Sequence, residues 1–383
     1  MAPATPVAQA IAPFNCLRFS GSLTSVGAWR RTIASIHDTP VKKPFHPALV
    51  RIAFFVVGVG PVSSRAWYEP GHRIINQLAI DSLPASFPSW VREPAIQERI
   101  VFLSQEPDRW RRTRELLLQH DNAPDHVIDL DQIAWAGIDV SALTPFRYEF
   151  VAEFLKGRAT HADRFPAIDP ARDPDHSLGL PGFLPWAIAE YYAKLQTQFS
   201  YLKTYERYGN PVEIADARAN VVYVMGVMGH FVGDGSQPLH TTVHNRGWVG
   251  PNPNNYATSD IHAIIDGGFM AKAGITVGEL APMVVPARPL DLAPRPDGRD
   301  PAFVDVVDYL LATRKTVEPV YQLLKGHKLV DGGPASREGR AFIEGRLLAA
   351  GEMLGSLWLT AWQQAAPDAY LQGTLIQRRA AGG

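Results

Sequence analysis

The sequence predicts an all-α fold, a single mostly helical domain with long irregular loops. Apolar residues recur three and four positions apart, the helical period, over six long stretches. Alternating strand patterns are scarce, and Pro/Asp/Gly-rich segments separate the helical stretches. The chain has 383 residues, 46% of them hydrophobic, which is enough apolar material for a sizeable core. Its 31 glycines and 32 prolines follow no period, so collagen-like and low-complexity chains are excluded. No heptad array or internal repeat is evident.

Taken from the N-terminus, residues 1–66 read as a leader. Arg51 precedes an apolar stretch of about eleven residues, too short to span a bilayer comfortably. Ser64-Arg65-Ala66 then places small residues at −3 and −1 before Trp67, a secretory signal pattern with cleavage between Ala66 and Trp67. The structural alternative is a buried strand or a short anchor. Residues 67–383 are therefore expected to be exported, to the periplasm or beyond the cell. The Pro/Ala/Ser-rich residues 1–49 fit badly in front of a signal, so the true start is expected nearer Val50. The leader carries seven Lys/Arg against Asp38 alone, leaving 30 basic and 37 acidic residues in 67–383. A mature net charge of about −7 excludes a nucleic-acid clamp acting through overall charge. The single cysteine, Cys16, lies in the leader, so no disulfide framework and no cysteine-based zinc finger forms within the chain.

The helical stretches follow in order: 72–83, 99–119, 184–208, 213–232, 303–324 and 339–364. Pro185 stands near the start of the third, where its missing N–H costs nothing. Loops are expected at 160–182, 245–260 and 284–301. No stretch is long and apolar enough for a transmembrane helix.

The most informative segment is His230-Phe231-Val232-Gly233-Asp234-Gly235-Ser236-Gln237-Pro238-Leu239-His240. His230 and Asp234 are four apart at the end of a helical stretch, so both side chains leave one face. Gly235 and Pro238 stop the helix and return the chain, which brings His240 towards the same place. His262 and Asp266 repeat the spacing. Imidazole nitrogen and carboxylate oxygen are ligands that zinc accepts, and this spacing lets one helix supply two. A lone pair of this kind is ordinarily a surface hydrogen bond; two pairs with His240 between them are not. His72, Asp108 beside Arg109 and Arg111, and His126 beside an apolar pair are further candidates. Each taken singly reads equally as a capping acid or a satisfied core histidine, and spacing does not choose Asp108 over Asp121 or His126 over His120.

Together, Trp67 with His72, Asp108, the His-x-Ile-Asp at 126–129, the His230…Asp234…Gln237-Pro238-Leu239-His240 block and His262-x3-Asp266 resemble the superfamily that unites zinc-dependent phospholipase C with the single-strand-specific zinc nucleases. The resemblance covers roughly residues 67–270. It implies an all-α fold and three zinc ions. One would be held by Asp108, His126, His230 and Asp234, a second by His240, His262 and Asp266. The third would take the freed amine and carbonyl of Trp67, His72 and the other oxygen of Asp234. An α-amine has a pKa near 7.7–8, so a cation can displace its proton near neutral pH. The resemblance further implies hydrolysis of a phosphodiester by water activated between zinc ions, with Asp108 orienting the nucleophile and Arg111 binding phosphate. The bland alternative for Arg111 is solvation on an arginine-rich helix.

Asp266 as the last ligand and the 21 residues between His240 and His262 resemble the nuclease branch. Val127 stands where many of the nucleases carry an aromatic residue that stacks on a base. Trp248 and Tyr256 are the candidates to replace it. The nucleases' usual disulfides are absent. The 103 residues between His126 and His230 look long and point to an insertion around 140–182. The expected function is an exported zinc phosphodiesterase acting on single-stranded DNA or RNA or on 3′-nucleotides, with no stable protein partner. The alternatives are a phospholipase C acting on phospholipids and a catalytically inactive, metal-stabilised helical binding protein.

Overall fold

The computed structural model describes residues 67–382. Residues 1–66, on which the expected signal sequence, the expected start near Val50 and Cys16 fall, lie outside the described residues. Within them the regular structure is helical, and no strand is present. The helices are α1 (Glu69–Ser82), α2 (Pro94–Leu103), α3 (Glu106–Arg111), α4 (Leu116–Asn122), α5 (Leu130–Trp135), α6 (Arg147–Thr160) and α7 (Leu184–Tyr208). After these come α8 (Pro211–Ser236), α9 (Phe269–Ala273), α10 (Val277–Leu280), α11 (Pro301–Arg314), α12 (Val317–Lys325), α13 (Arg337–Gln364) and α14 (Ala369–Ala380). No helix among the described residues is long and apolar enough to cross a membrane.

Local chemistry sets where α8 begins. The Asn210 side chain accepts from the N–H groups of Val212 and Glu213, both at 3.0 Å, while Glu213 accepts from the Asn210 N–H at 2.9 Å. This capping box satisfies donors that a helix start otherwise leaves open. From Val224 to Ser236 every residue of α8 is buried, because α1, α2, α7, α11 and α13 all pack around it. A helix apolar on every side has no place but the centre, and α8 carries two of the predicted ligands there.

Two of the expected helices are broken. Residues 99–119 divide into α2, α3 and α4; the first break falls before Pro107, which in a continuous helix would clash with the carbonyl four residues earlier. Residues 303–324 divide at Lys315 and Thr316 for the same reason, with Pro319 in the first turn of α12. The presumed insertion at 140–182 contains α6, held down by Phe150 and Phe154 one turn apart, both buried. Residues 242–260 and 284–300 are irregular, as expected, and 161–183 holds only two short 3₁₀ turns.

Candidate metal centre

α8 delivers His230 and Asp234 from its last two turns, both fully buried, with Nε2 and Oδ2 3.3 Å apart. Gln237 leaves the helix and its side-chain oxygen caps the short turn Pro238–Thr241, accepting from the Leu239 N–H at 2.6 Å. That turn carries His240 back towards Asp234, with Nδ1 3.7 Å from Oδ1. α1 brings His72 against the same face. A β-carbon on Gly233 would stand 2.8 Å from His72 Nδ1, so α8 must be bare there for the His72 and His230 rings to stack at 3.9 Å.

Three groups of donors result, each with atoms within 4.8 Å of one another: His72, His230 and Asp234; Asp108, His126 and His230; His240, His262 and Asp266. All are buried, and each group could hold a metal ion. A tetrahedral ion with ligands about 2.1 Å away holds them about 3.4 Å apart. His72 Nε2 lies 3.4 Å from Asp234 Oδ1, and His262 Nε2 lies 3.2 Å from Asp266 Oδ2.

The hydrogen-bonding of the imidazoles is the decisive feature. His230 Nδ1 donates to the Ser104 carbonyl at 2.7 Å, His240 Nδ1 to the His126 carbonyl at 2.7 Å and His262 Nδ1 to the Asn245 carbonyl at 2.8 Å. A carbonyl only accepts, so each Nδ1 carries the hydrogen and each Nε2 presents a lone pair inward. Burial keeps these rings neutral, lowering His72 to about 3, His230 and His262 to about 4, and His240 well below its ordinary value. Yet His240 Nε2 and His262 Nε2 face each other at 3.1 Å. With both Nδ1 atoms protonated, neither Nε2 can donate to the other, and the one side-chain donor that reaches them, Gln237 Nε2, meets His262 Nε2 only at 3.4 Å while bonding Asp266 Oδ1 at 2.6 Å. The two lone pairs repel, and a cation shared between them removes the repulsion. Asp234 Oδ1, Asp266 Oδ2, His126 Nε2 and both nitrogens of His72 are buried without a hydrogen-bond partner. In an interior such atoms are normally paired. The residues present therefore fit a metal ion.

Arg111 sits over this cluster. Its Nε donates to Asp108 Oδ1 at 2.7 Å, while Nη2 is buried with no partner. Arg112 donates to Asp108 Oδ2. Burial pushes Asp108 upward, but Arg111 and the other neighbouring charges outweigh it and hold the carboxyl well below the ordinary carboxylate range. Asp234 and Asp266, without such a partner, are raised well above that range by burial. Gln237 Nε2 donates to Asp266 Oδ1 at 2.6 Å, leaving Oδ2 for the cluster. The Trp67 indole is fully buried, donating to the Gly233 carbonyl and the Ser236 hydroxyl, both at 3.0 Å.

A cleft of about 200 Å³ opens beside His240, and Val127 is in its wall with Pro124, Asp129, Gln132, Leu178, Pro181 and Asn245. The opposite side comes from 177–181, so the end of the presumed insertion shapes the cleft directly. Gly182 makes this approach feasible: its φ is +89°, and a β-carbon there would meet the Val127 carbonyl oxygen at 2.1 Å. Trp248 and Tyr256 do not stand free for a base as expected. Tyr256 is 5% exposed with its hydroxyl donating to Glu318 at 2.9 Å, and Trp248 stacks on His244 at 4.1 Å and meets Tyr321 edge-on. Burial against other rings is worth more to these side chains than standing in water. No Phe, Tyr or Trp lines the cleft.

Sequence reasoning missed Asp131, which fastens the His240 turn. Its carboxylate accepts from the Thr242 hydroxyl, the Val243 N–H at 3.1 Å and the Arg314 guanidinium. Asp131→Ala leaves two donors and a cation unpaired and is expected to destabilise the fold by about 2–3 kcal/mol. It is also expected to weaken metal binding at His240, His262 and Asp266 about tenfold. Competition against a chromophoric chelator measures this, and an unchanged affinity beside a lowered Tm would confine Asp131 to the fold.

No family model and no curated protein matches the chain.

Proposed function

We propose that the chain is an exported zinc phosphodiesterase that hydrolyses single-stranded nucleic acid and 3′-nucleotides. The observation that carries this reading is the pair of inward, neutral and mutually opposed Nε2 atoms of His240 and His262, together with a half-buried arginine, Arg111, whose Nη2 is buried and has no partner. The donors are nitrogen and carboxylate oxygen in closely spaced groups, which suits zinc. Three ions are proposed, held by Asp108, His126, His230 and Asp234; by His240, His262 and Asp266; and by His72, Asp234 and the main-chain nitrogen and oxygen of Trp67.

Zinc, when bound, supplies Lewis acidity and lowers the pKa of water towards 7. The chain's own residues do the rest. Arg111 binds a non-bridging phosphate oxygen through the free Nη2 and stabilises the charge that grows there. Asp108, kept ionised by its arginines, orients the attacking water. The Ser104, His126 and Asn245 carbonyls fix the imidazoles so that no reorientation is needed as charge develops.

The cleft beside His240 supports a nucleotide over a lipid. Apolar walls from Val127, Leu178 and Pro181 enclose amide and carboxyl groups from Gln132, Asn245 and Asp129, an arrangement suited to one planar ring with polar edges. Phospholipid hydrolysis remains the second reading because Leu116, Leu117 and Leu118 are exposed between the Asp108 and His126 segments. Such an apolar rim is what a lipid surface would cover.

The zinc-loaded protein is expected to hydrolyse denatured DNA and a 3′-nucleotide, with phosphatidylcholine vesicles at least about a hundredfold slower; that ratio corresponds to about 2.7 kcal/mol of differential transition-state binding. Faster turnover of the vesicles would transfer the assignment to the phospholipase reading. Full zinc occupancy with neither activity would favour the inactive binding protein.

A further inference from the structure

We propose that Arg246 binds the phosphate next to the scissile one, so that the site grips two consecutive phosphodiesters and discriminates a strand from a single phosphate ester. This rests on the nucleic-acid reading above and names the part of the substrate that Arg246 recognises.

The segment between His240 and His262 is irregular yet fastened at residues on both sides of Arg246. The Asn245 carbonyl accepts from His262 Nδ1 at 2.8 Å, and the His244 carbonyl accepts from the Tyr321 hydroxyl at 2.6 Å. On the other side the Trp248 N–H donates to the Ala257 carbonyl at 2.8 Å. Gly247 has φ +142° and passes so close that a β-carbon would meet the Thr258 carbonyl oxygen at 2.4 Å. The backbone of residue 246 is therefore held in place, one residue from a carbonyl that orients a metal-ligand histidine. The side chain itself is exposed and has no partner among the described residues. Asn245, the residue immediately before it, is in the wall of the cleft beside His240, so residue 246 stands at the cleft's edge.

The nearest acid along this segment is Asp260, already engaged with the His262 N–H at 2.9 Å. Arg246 thus keeps its donors for something arriving from solvent. A guanidinium is shaped for a phosphate, offering two parallel N–H groups to two oxygens. Arg111 and Arg246 belong to different donor groups of the cluster, the first through Asp108 and the second through Asn245 and His262. A strand whose scissile phosphate meets Arg111 extends past the cleft, and its neighbouring phosphate comes to Arg246. A 3′-nucleotide or a phospholipid has no second diester to offer.

The test compares wild-type protein with Arg246→Gln and Arg246→Lys on thymidine trinucleotide and on bis(4-nitrophenyl) phosphate, a single diester. For Arg246→Gln, the ratio of kcat/KM for the trinucleotide to that for the single diester is expected to fall roughly tenfold. The logarithmic salt dependence of trinucleotide binding is expected to become shallower by about 0.7, the value for one phosphate contact on a single strand. Lysine should restore the salt slope and only part of the affinity, since it keeps the charge and loses the fork. An equal proportional loss on both substrates, or no loss on either, would overturn the assignment. Should the wild type cleave the single diester but no nucleic acid, the proposed function fails by itself. Trinucleotide affinity measured by fluorescence anisotropy then decides separately for Arg246, with equal affinity of wild type and Arg246→Gln overturning it.

Discussion

Asp234→Asn is expected to lower phosphodiester hydrolysis by more than about a thousandfold and to leave the protein with less than half of its zinc. The Asp234 carboxylate lies within 3.7 Å of four histidines: His126 at 2.9 Å, His230 at 3.3 Å, His72 at 3.4 Å and His240 at 3.7 Å. It therefore links two of the donor groups to His240 in the third. Asparagine fills the same volume, but an amide nitrogen is no ligand and its hydrogens would point at neutral imidazoles. The metal-free variant should nonetheless be about as stable as the wild type. Burial already raises Asp234 well above the ordinary carboxylate range, so the amide imitates its protonated form. What should shrink is the rise in Tm on adding zinc, which grows with the logarithm of ligand over Kd and would come only from the His240, His262 and Asp266 group in the variant.

The same shift fixes the sign of the pH dependence. A carboxyl whose pKa is raised must lose its proton before it can bind a cation, so zinc binding releases protons and strengthens as pH rises. Calorimetry in buffers of different ionisation enthalpy counts those protons, and the variant should release one fewer. Elemental analysis decides the main claim: an undiminished zinc content in Asp234→Asn would remove Asp234 from the centre.

How much of this was legible beforehand depends on sequence separation. His230, Asp234 and His240 announce themselves because a helix and a proline turn fix their geometry within eleven residues. His126 and Asp108 do not. They reach His230 across more than a hundred residues, and local pattern offers His120 and Asp121 on equal terms. Packing makes the choice: His126 is fully buried in the cluster, whereas His120 is exposed and bonds the Asp175 carbonyl. The carbonyls of Ser104, His126 and Asn245 leave no trace in sequence, because every residue has one. Trp248 and Tyr256 fail as base platforms for a related reason. Their neighbours Tyr321 and Glu318 lie on α12, more than sixty residues on. The breaks near Pro107 and Pro319 interrupt stretches whose apolar spacing runs straight through them, because a proline ends a helix whatever the pattern around it.

A chain that begins at Trp67 is expected to bind one more zinc than the full-length chain and to hydrolyse its substrate at least about a hundredfold faster. The indole is fixed to the last turn of α8 by hydrogen bonds to the Gly233 carbonyl and the Ser236 hydroxyl, so residue 67 stands beside the carboxylate that follows Gly233. The next N–H, that of Tyr68, donates to the Asp266 carbonyl at 2.8 Å. His72, one turn into α1, has both nitrogens buried and unpartnered, and so does Asp234 Oδ1. What the proposed third ion lacks is a further nitrogen donor, and residue 67 can supply it only as a free amine. An amine with a pKa near 7.7–8 yields its proton to a cation near neutral pH, whereas a peptide nitrogen has its lone pair delocalised into the carbonyl. A chain beginning at Ala66 separates this chemistry from any effect of the leader's bulk. It adds a single small residue, leaves the indole where it is, and turns the amine into an amide. That chain should resemble the full-length protein in zinc content and rate; if it matches the chain beginning at Trp67 instead, the main-chain nitrogen is not a ligand and the centre is completed by side chains alone.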